Sequence, residues 1–266
     1  MTSTVKTARP GEVLRELLGR PAILDQPAVC DPLGARLARE AGYEAVTLGG
    51  YAIGAHLPLT SGLSLEDIER TARAVIRACG LPLLLDADIG WGGTEDIPGA
   101  VARLEPAGVA AIEVSGQHLP AELPYSAARE RDRAHRGLLA RVRAARAARE
   151  HMLIMARCTV PPGGGYDGAL GQAAGLLEAG ADAVVLHAPA SQLPRFPRDL
   201  PGATLIYAGS LVPGPPVTAS QLQRWGYRGL SVQYHRCYCT RMVAAGQCAI
   251  TWMPGAEHRD DLERKQ

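Results

Sequence analysis

The chain has 266 residues, 47% of them hydrophobic and 21% charged, a balance that supports one large core and excludes a mostly disordered protein. Formal net charge is +1, from 28 basic and 27 acidic side chains, so no field of one sign is available to draw in nucleic acid or an anionic membrane surface. A small-molecule partner fits that balance better. The N-terminal stretch lacks the unbroken apolar run of a signal peptide, and nowhere do about 18 apolar residues run together, so a cytoplasmic location is expected. The 6 cysteines are scattered through apolar segments, as suits reduced thiols. Cys237 and Cys239 are too close together for a usual zinc pair.

In chain order, short apolar runs at Ala22–Leu24, Ala45–Leu48, Leu83–Leu85, Ala110–Val114, Leu153–Ala156, Ala183–Leu186, Thr204–Tyr207 and Leu230–Val232 read as strands. Helical patterns fall between them at Leu33–Ala41, Ser64–Cys79, Asp96–Ala107, Arg133–Arg149, Gly168–Ala179 and Thr218–Trp225. Ser64 with Asp67 three positions on is a helix-start signature, and Gly42, Gly108 and Gly180 are placed as helix stops. Eight strands of continuous hydrophobicity alternating with helices predict an α/β fold, a closed (β/α)8 TIM barrel. It fills residues 1–266 as a single domain, with a plausible eighth helix within His235–Pro254 and a charged tail over 257–266. The competing fold is an open doubly wound sheet. It needs a glycine turn after the first strand, and Val29-Cys30-Asp31-Pro32 is not one.

In a barrel the reactive groups sit where strands end. Gly49-Gly50-Tyr51 follow the second predicted strand, and Asp86-Ala87-Asp88 with Gly90, Gly92 and Gly93 follow the third. Glu113 closes the fourth, and Arg157, His187 and Gln233 follow the fifth, sixth and eighth. Two carboxylates at i and i+2 just past a buried strand need a cation, and hard oxygen ligands suit Mg2+ (Mn2+ being the close substitute), which also grips a chelating 2-oxo acid. The alternative is that Asp86 caps the next helix and Asp88 faces solvent. An arginine at a buried strand end needs an anion, either a substrate carboxylate or phosphonate or a neighbouring carboxylate such as Glu113. His187 is equally readable as a core histidine.

The run Asp86 to Gly92 resembles the signature D-A-D-x-G-[YW]-G of the isocitrate lyase and phosphoenolpyruvate mutase superfamily. The likeness extends to Asp31–Ala38 with Ala41-Gly42-Tyr43, to Gly49-Gly50-Tyr51, to Met155-Ala156-Arg157 and to Val185-Leu186-His187. The resemblance implies that Asp86 is the direct Mg2+ ligand and Asp88 a ligand through water. It also implies that amides of Gly50 and Tyr51 hold the substrate carboxylate, and that Arg157 and His187 bind the remaining anionic part. It implies a homodimer or homotetramer with the eighth helix exchanged between subunits.

The sequence departs from that family where lyases carry K-[KR]-C-G-H. Residues 118–126 contain neither cysteine nor lysine, with Ala121 where the mutases have lysine. The family's glutamate-aspartate pair aligns with Ser115-Gly116, leaving Glu113 two positions early but on the same strand face, from which it reaches the metal through water. Ser61 and Thr159 stand where further carboxylates are usual. Glu122 and Tyr125 are the candidates to replace the missing lid acid or base, with ordinary solvated loop residues as the alternative. The leading expectation is a Mg2+-dependent carbon–carbon bond lyase, aldol-type or decarboxylating, acting on a small 2-oxo or 2-hydroxy acid. The alternatives are phosphonopyruvate-type mutase or hydrolase chemistry, and a non-catalytic ligand-binding barrel.

Overall fold

The computed structural model describes residues 8–49, 53, 64–86, 97–115, 128–160, 165–209 and 217–232, with residues 128–136 described for the backbone alone. Their eight strands are β1 (Leu24–Val29), β2 (Val46–Gly49), β3 (Leu83–Asp86), β4 (Ala111–Val114), β5 (Leu153–Thr159), β6 (Ala183–His187), β7 (Leu205–Gly209) and β8 (Gly229–Val232). Every neighbouring pair is parallel, and β8 returns to β1, closing the barrel. The expected (β/α)8 architecture is what the chain adopts.

Among the described residues eight helices precede or separate the strands: α1 (Pro10–Gly19), α2 (Pro32–Glu40), α3 (Leu65–Cys79), α4 (Ile97–Leu104), α5 (Ala128–Ala148), α6 (Tyr166–Glu178), α7 (Arg195–Asp199) and α8 (Ala219–Trp225). Ser64 and Asp67 form the reciprocal cap at the start of α3, and Thr218 with Gln221 does the same for α8. Gly42, Gly108 and Gly180 all lie at positive φ, where a side chain would strain the helix-to-strand turn. Two helices are absent from the sequence reading. Helix α1 precedes the first strand, and α7 is a five-residue piece within Arg195–Asp199. The first strand is also displaced, from 22–24 to Leu24–Val29, because Asp25, Gln26 and Pro27 hide its apolar character.

Burial follows two shells. The outer shell packs helices against outward strand residues such as Leu48, Leu85, Ile112, Ile154, Val184 and Leu205. The inner shell contains Leu24, Ala45, Leu84, Ala111, Met155, Val185, Ile206 and Ala208, closed below by Leu14, Leu17 and Leu18 of α1. Followed from strand to strand, the register stacks the inward side chains in layers contributed by alternate strands. Gln26, Leu84, Met155 and Ile206 form one layer, and Thr47, Glu113, Val185 and Ser231 lie above it. The next comprises Ala28, Asp86, Arg157 and Ala208, and at the rim are Gly49, Ser115 and His187. The Thr47 and Ser231 hydroxyls, 3.3 Å apart, confirm that these two share a layer. Polarity therefore rises from the N-terminal to the C-terminal end of the cylinder. The single-domain boundary, the predicted helix within 235–254, the Cys237–Cys239 pair and the tail over 257–266 lie partly or wholly outside the described residues.

Candidate active site

Three strands carry a residue able to do chemistry at or near their C-terminal ends, and all three run further than their apolar character suggests. Asp86 is the last residue of β3, Arg157 lies inside β5 and His187 ends β6. Asp86 and Glu113 are direct register partners across β3 and β4. On its other side Asp86 is paired with Gly49, which has no side chain.

Burial makes these groups costly unless they are compensated. Asp86 is 2% exposed, Glu113 0% and Arg157 7%. Arg157 donates Nε–H to Glu113 Oε1 at 2.5 Å and Nη2–H to Asp86 Oδ2 at 2.8 Å. One guanidinium edge thus bridges two carboxylates, which arginine's planar set of donors is suited to and lysine's single ammonium is not. Among the described residues the anions that meet Arg157 are Glu113 and Asp86 themselves. Glu113 does point inward, as its place on the strand requires.

His187 sits at the rim, 9% exposed, and its Nε2 has no hydrogen-bond partner among the described residues. Burial, with Arg157's positive charge adding to it and Asp86 opposing, pushes its pKa down to about 3. At neutral pH the imidazole is uncharged and offers one ring nitrogen to whatever enters. The end of β4 is tied down by Arg141, which donates from Nη1 to the Ser115 carbonyl at 2.9 Å. Sequence reasoning missed that contact, because an arginine on a long basic helix gives no sign of reaching a strand end. It also missed the inward polar group formed by Gln26, Thr47 and Ser231, which lies in strand segments read as apolar or as loop.

The structure therefore brings Asp86, Glu113, Arg157 and His187 to one mouth with Gly49 beside them. Gly50, Tyr51, Asp88, Glu122, Tyr125 and Gln233 lie outside the described residues, as do Ala121 and Ser61. Chemically, the described constellation offers two adjacent hard oxygen donors, a fixed guanidinium and a neutral imidazole. That set suits a divalent cation together with an anionic ligand.

The family model described as phosphoenolpyruvate phosphomutase matches residues 14–247, nearly the whole barrel. The chain belongs to the isocitrate lyase/phosphoenolpyruvate mutase superfamily. Relatives of this superfamily member include 2-methylisocitrate lyase of Aeropyrum pernix, 30% identical over 83% of this chain and 72% of that protein. A 2,3-dimethylmalate lyase of Eubacterium barkeri is 30% identical over 80% of this chain and 76% of its own length. A crystal structure of phosphonopyruvate hydrolase in complex with oxalate and Mg2+ superposes with a TM-score of 0.71, covering 97% of this chain and 96% of that one. At 21% identity that likeness concerns the fold. Among these lyases and mutases the present superfamily member is divergent, with no cysteine or lysine in residues 118–126. No helix among its described residues is long and apolar enough to cross a membrane.

Proposed function

We propose that this superfamily member is a Mg2+-dependent carbon–carbon bond lyase, aldol-type or decarboxylating, that acts on a small 2-oxo or 2-hydroxy acid. The observation that carries the reading is the pairing of Asp86 with Glu113 at the mouth of the barrel, bridged by Arg157. Two buried carboxylates on neighbouring strands fit a hard divalent ion. The lyases among its relatives, and the neighbouring structure that holds oxalate and Mg2+, support the same assignment.

Asp86 would hold the ion directly, with Asp88 and Glu113 acting through water. When bound, the ion supplies Lewis-acid stabilisation of negative charge developing on the substrate's oxygen atoms. The chain's own groups do the rest. Arg157, held by Glu113 through Nε, would turn its remaining N–H donors to orient a substrate carboxylate. His187, neutral and with Nε2 unpartnered among the described residues, donates or accepts one hydrogen bond at the rim. Amides of Gly50 and Tyr51 would hold the substrate carboxylate, and Gln233 would line the pocket from the end of β8. The proton lost or gained when the carbon–carbon bond breaks is assigned to Glu122 or Tyr125, since no cysteine occupies that stretch. The working form is a cytoplasmic homodimer or homotetramer.

The test is a panel of 2-oxo and 2-hydroxy diacids incubated with protein and Mg2+. Release of pyruvate or another oxo acid from at least one member, abolished by chelation of the metal, is the expected result. Phosphate release from phosphonopyruvate instead would move the assignment to phosphorus–carbon chemistry. Tight oxalate binding with no turnover of any member would leave a binding protein.

A further inference from the structure

We propose that Arg157 is a latch that makes binding of the cation depend on binding of the anionic ligand. The inference rests on the Mg2+ reading above and concerns what the chain does before either partner arrives. Arg157 is held at both ends of one guanidinium edge, by Glu113 through Nε and by Asp86 through Nη2. All three side chains are at least nine-tenths buried, so the attraction is little screened by water.

Asp86 is the residue through which a cation would be held, and in this arrangement one of its oxygens already accepts a charge-assisted hydrogen bond. A guanidinium against that oxygen both occupies it and repels a second positive charge. The contact with Glu113 is the shorter of the two and comes from Nε, the nitrogen nearest the chain. It forms a pivot. Swinging about that pivot, Nη2 leaves Asp86 for the carboxylate of an incoming ligand while Nε keeps Glu113 as its anionic partner. Asp86 is then released to the cation. Each ligand removes the obstacle to the other, and because coupling between binding equilibria is reciprocal, each tightens the other to the same degree.

Chelation alone also couples a metal to oxalate, so the test must separate the two causes. Mn2+ serves as probe, its free concentration read by electron paramagnetic resonance, with the full-length protein. Arg157→Lys keeps the positive charge but cannot span both carboxylates. The latch requires that this variant, without any anion, bind Mn2+ at least about fivefold tighter than the wild type. Equal or weaker binding by a folded variant overturns it.

Should Arg157→Lys not fold, the wild type decides with acetate, a monocarboxylate that engages a guanidinium but closes no chelate ring. A rise in Mn2+ affinity of about fivefold or more on adding acetate supports the latch, and no rise overturns it. Mn2+ that binds the wild type with oxalate but ignores acetate defeats the latch and leaves the metal reading standing. Absence of Mn2+ binding even with oxalate defeats both.

Discussion

Asp86 and Glu113 lie side by side as register partners on β3 and β4, and a single guanidinium from β5 is hydrogen-bonded to both. The consequence is electrostatic. Two buried carboxylates on neighbouring strands repel each other, and among the described residues Arg157 supplies one positive charge against their two negative ones. The remaining negative charge is what a divalent ion, accompanied by an anionic ligand, is suited to meet.

Replacing Arg157 by Met exposes that imbalance. It leaves two buried carboxylates without their shared counter-charge, for which the expected loss of stability is about 3–5 kcal/mol. Added Mg2+ should recover part of it, about 2.7 kcal/mol at a hundredfold excess over its dissociation constant. Thermal melting with and without Mg2+ is the measurement. A variant whose melting temperature responds to Mg2+ no more than the wild type does would argue against a cation at Asp86.

Asp86→Asn keeps the shape and one hydrogen-bond acceptor for Arg157 while removing the charge. The stability cost should therefore be smaller, about 1–3 kcal/mol. The functional cost should be larger, with Mn2+ binding lost and kcat/KM on the panel substrate lowered by about two to three orders of magnitude. Retention of both Mn2+ uptake and turnover in Asp86→Asn would remove the foundation of the proposed mechanism.

The barrel was legible because its signals are local and repeated. Most strands contain an apolar run, and the helices between several of them stop at Gly42, Gly108 and Gly180, whose positive φ the sequence announces. Asp86 was legible for the same reason, as a charge following Leu83-Leu84-Leu85. The partner of Arg157 was not. Asp86 and Arg157 are 71 residues apart, and only the strand register decides which of several carboxylates an arginine meets. Helix α1 and the polar residues Gln26, Thr47 and Ser231 escaped because nothing local marks a helix as a plug or a glutamine as facing inward. Such facts belong to the closed barrel and not to any segment of it.

His187 gives a pH signature whose sign is fixed by its surroundings. Its folded pKa is depressed to about 3 from an ordinary 6.5, first by burial and then by Arg157. Between those two values the unfolded chain binds the proton and the folded one does not, so this contribution is complete above 6.5 and lost as pH falls toward 3. Within the window the slope from this one residue is about 1.4 kcal/mol per pH unit. Denaturant melts from pH 7 to 4 on the wild type and His187→Gln are the comparison. An identical decline in both would mean that the imbalance lies elsewhere. The same neutrality predicts that acidification from pH 7 to 5 adds no charge at His187, so oxalate affinity should not rise on its account.

The opposite end of the barrel offers a change that separates stability from chemistry. Gly11 in α1 packs so tightly on the turn before β5 that a Cβ there would lie 2.1 Å from the His151 carbonyl oxygen and 2.9 Å from its carbon. That turn cannot yield easily, because the Glu105 carboxylate accepts hydrogen bonds from the amides of Glu150, His151 and Met152. In Gly11→Ala it is therefore α1 that must move, carrying Leu14, Leu17 and Leu18 away from the apolar floor they close. Overpacking of this kind costs about 1–3 kcal/mol, and for a chain of this size each kcal/mol lowers the melting temperature by about 2–4 °C. Mn2+ binding at the far mouth should be unchanged. A melting temperature equal to the wild type's would show that α1 is not held against that turn, and a loss of Mn2+ binding would show that floor and mouth are coupled through the stacked layers between them.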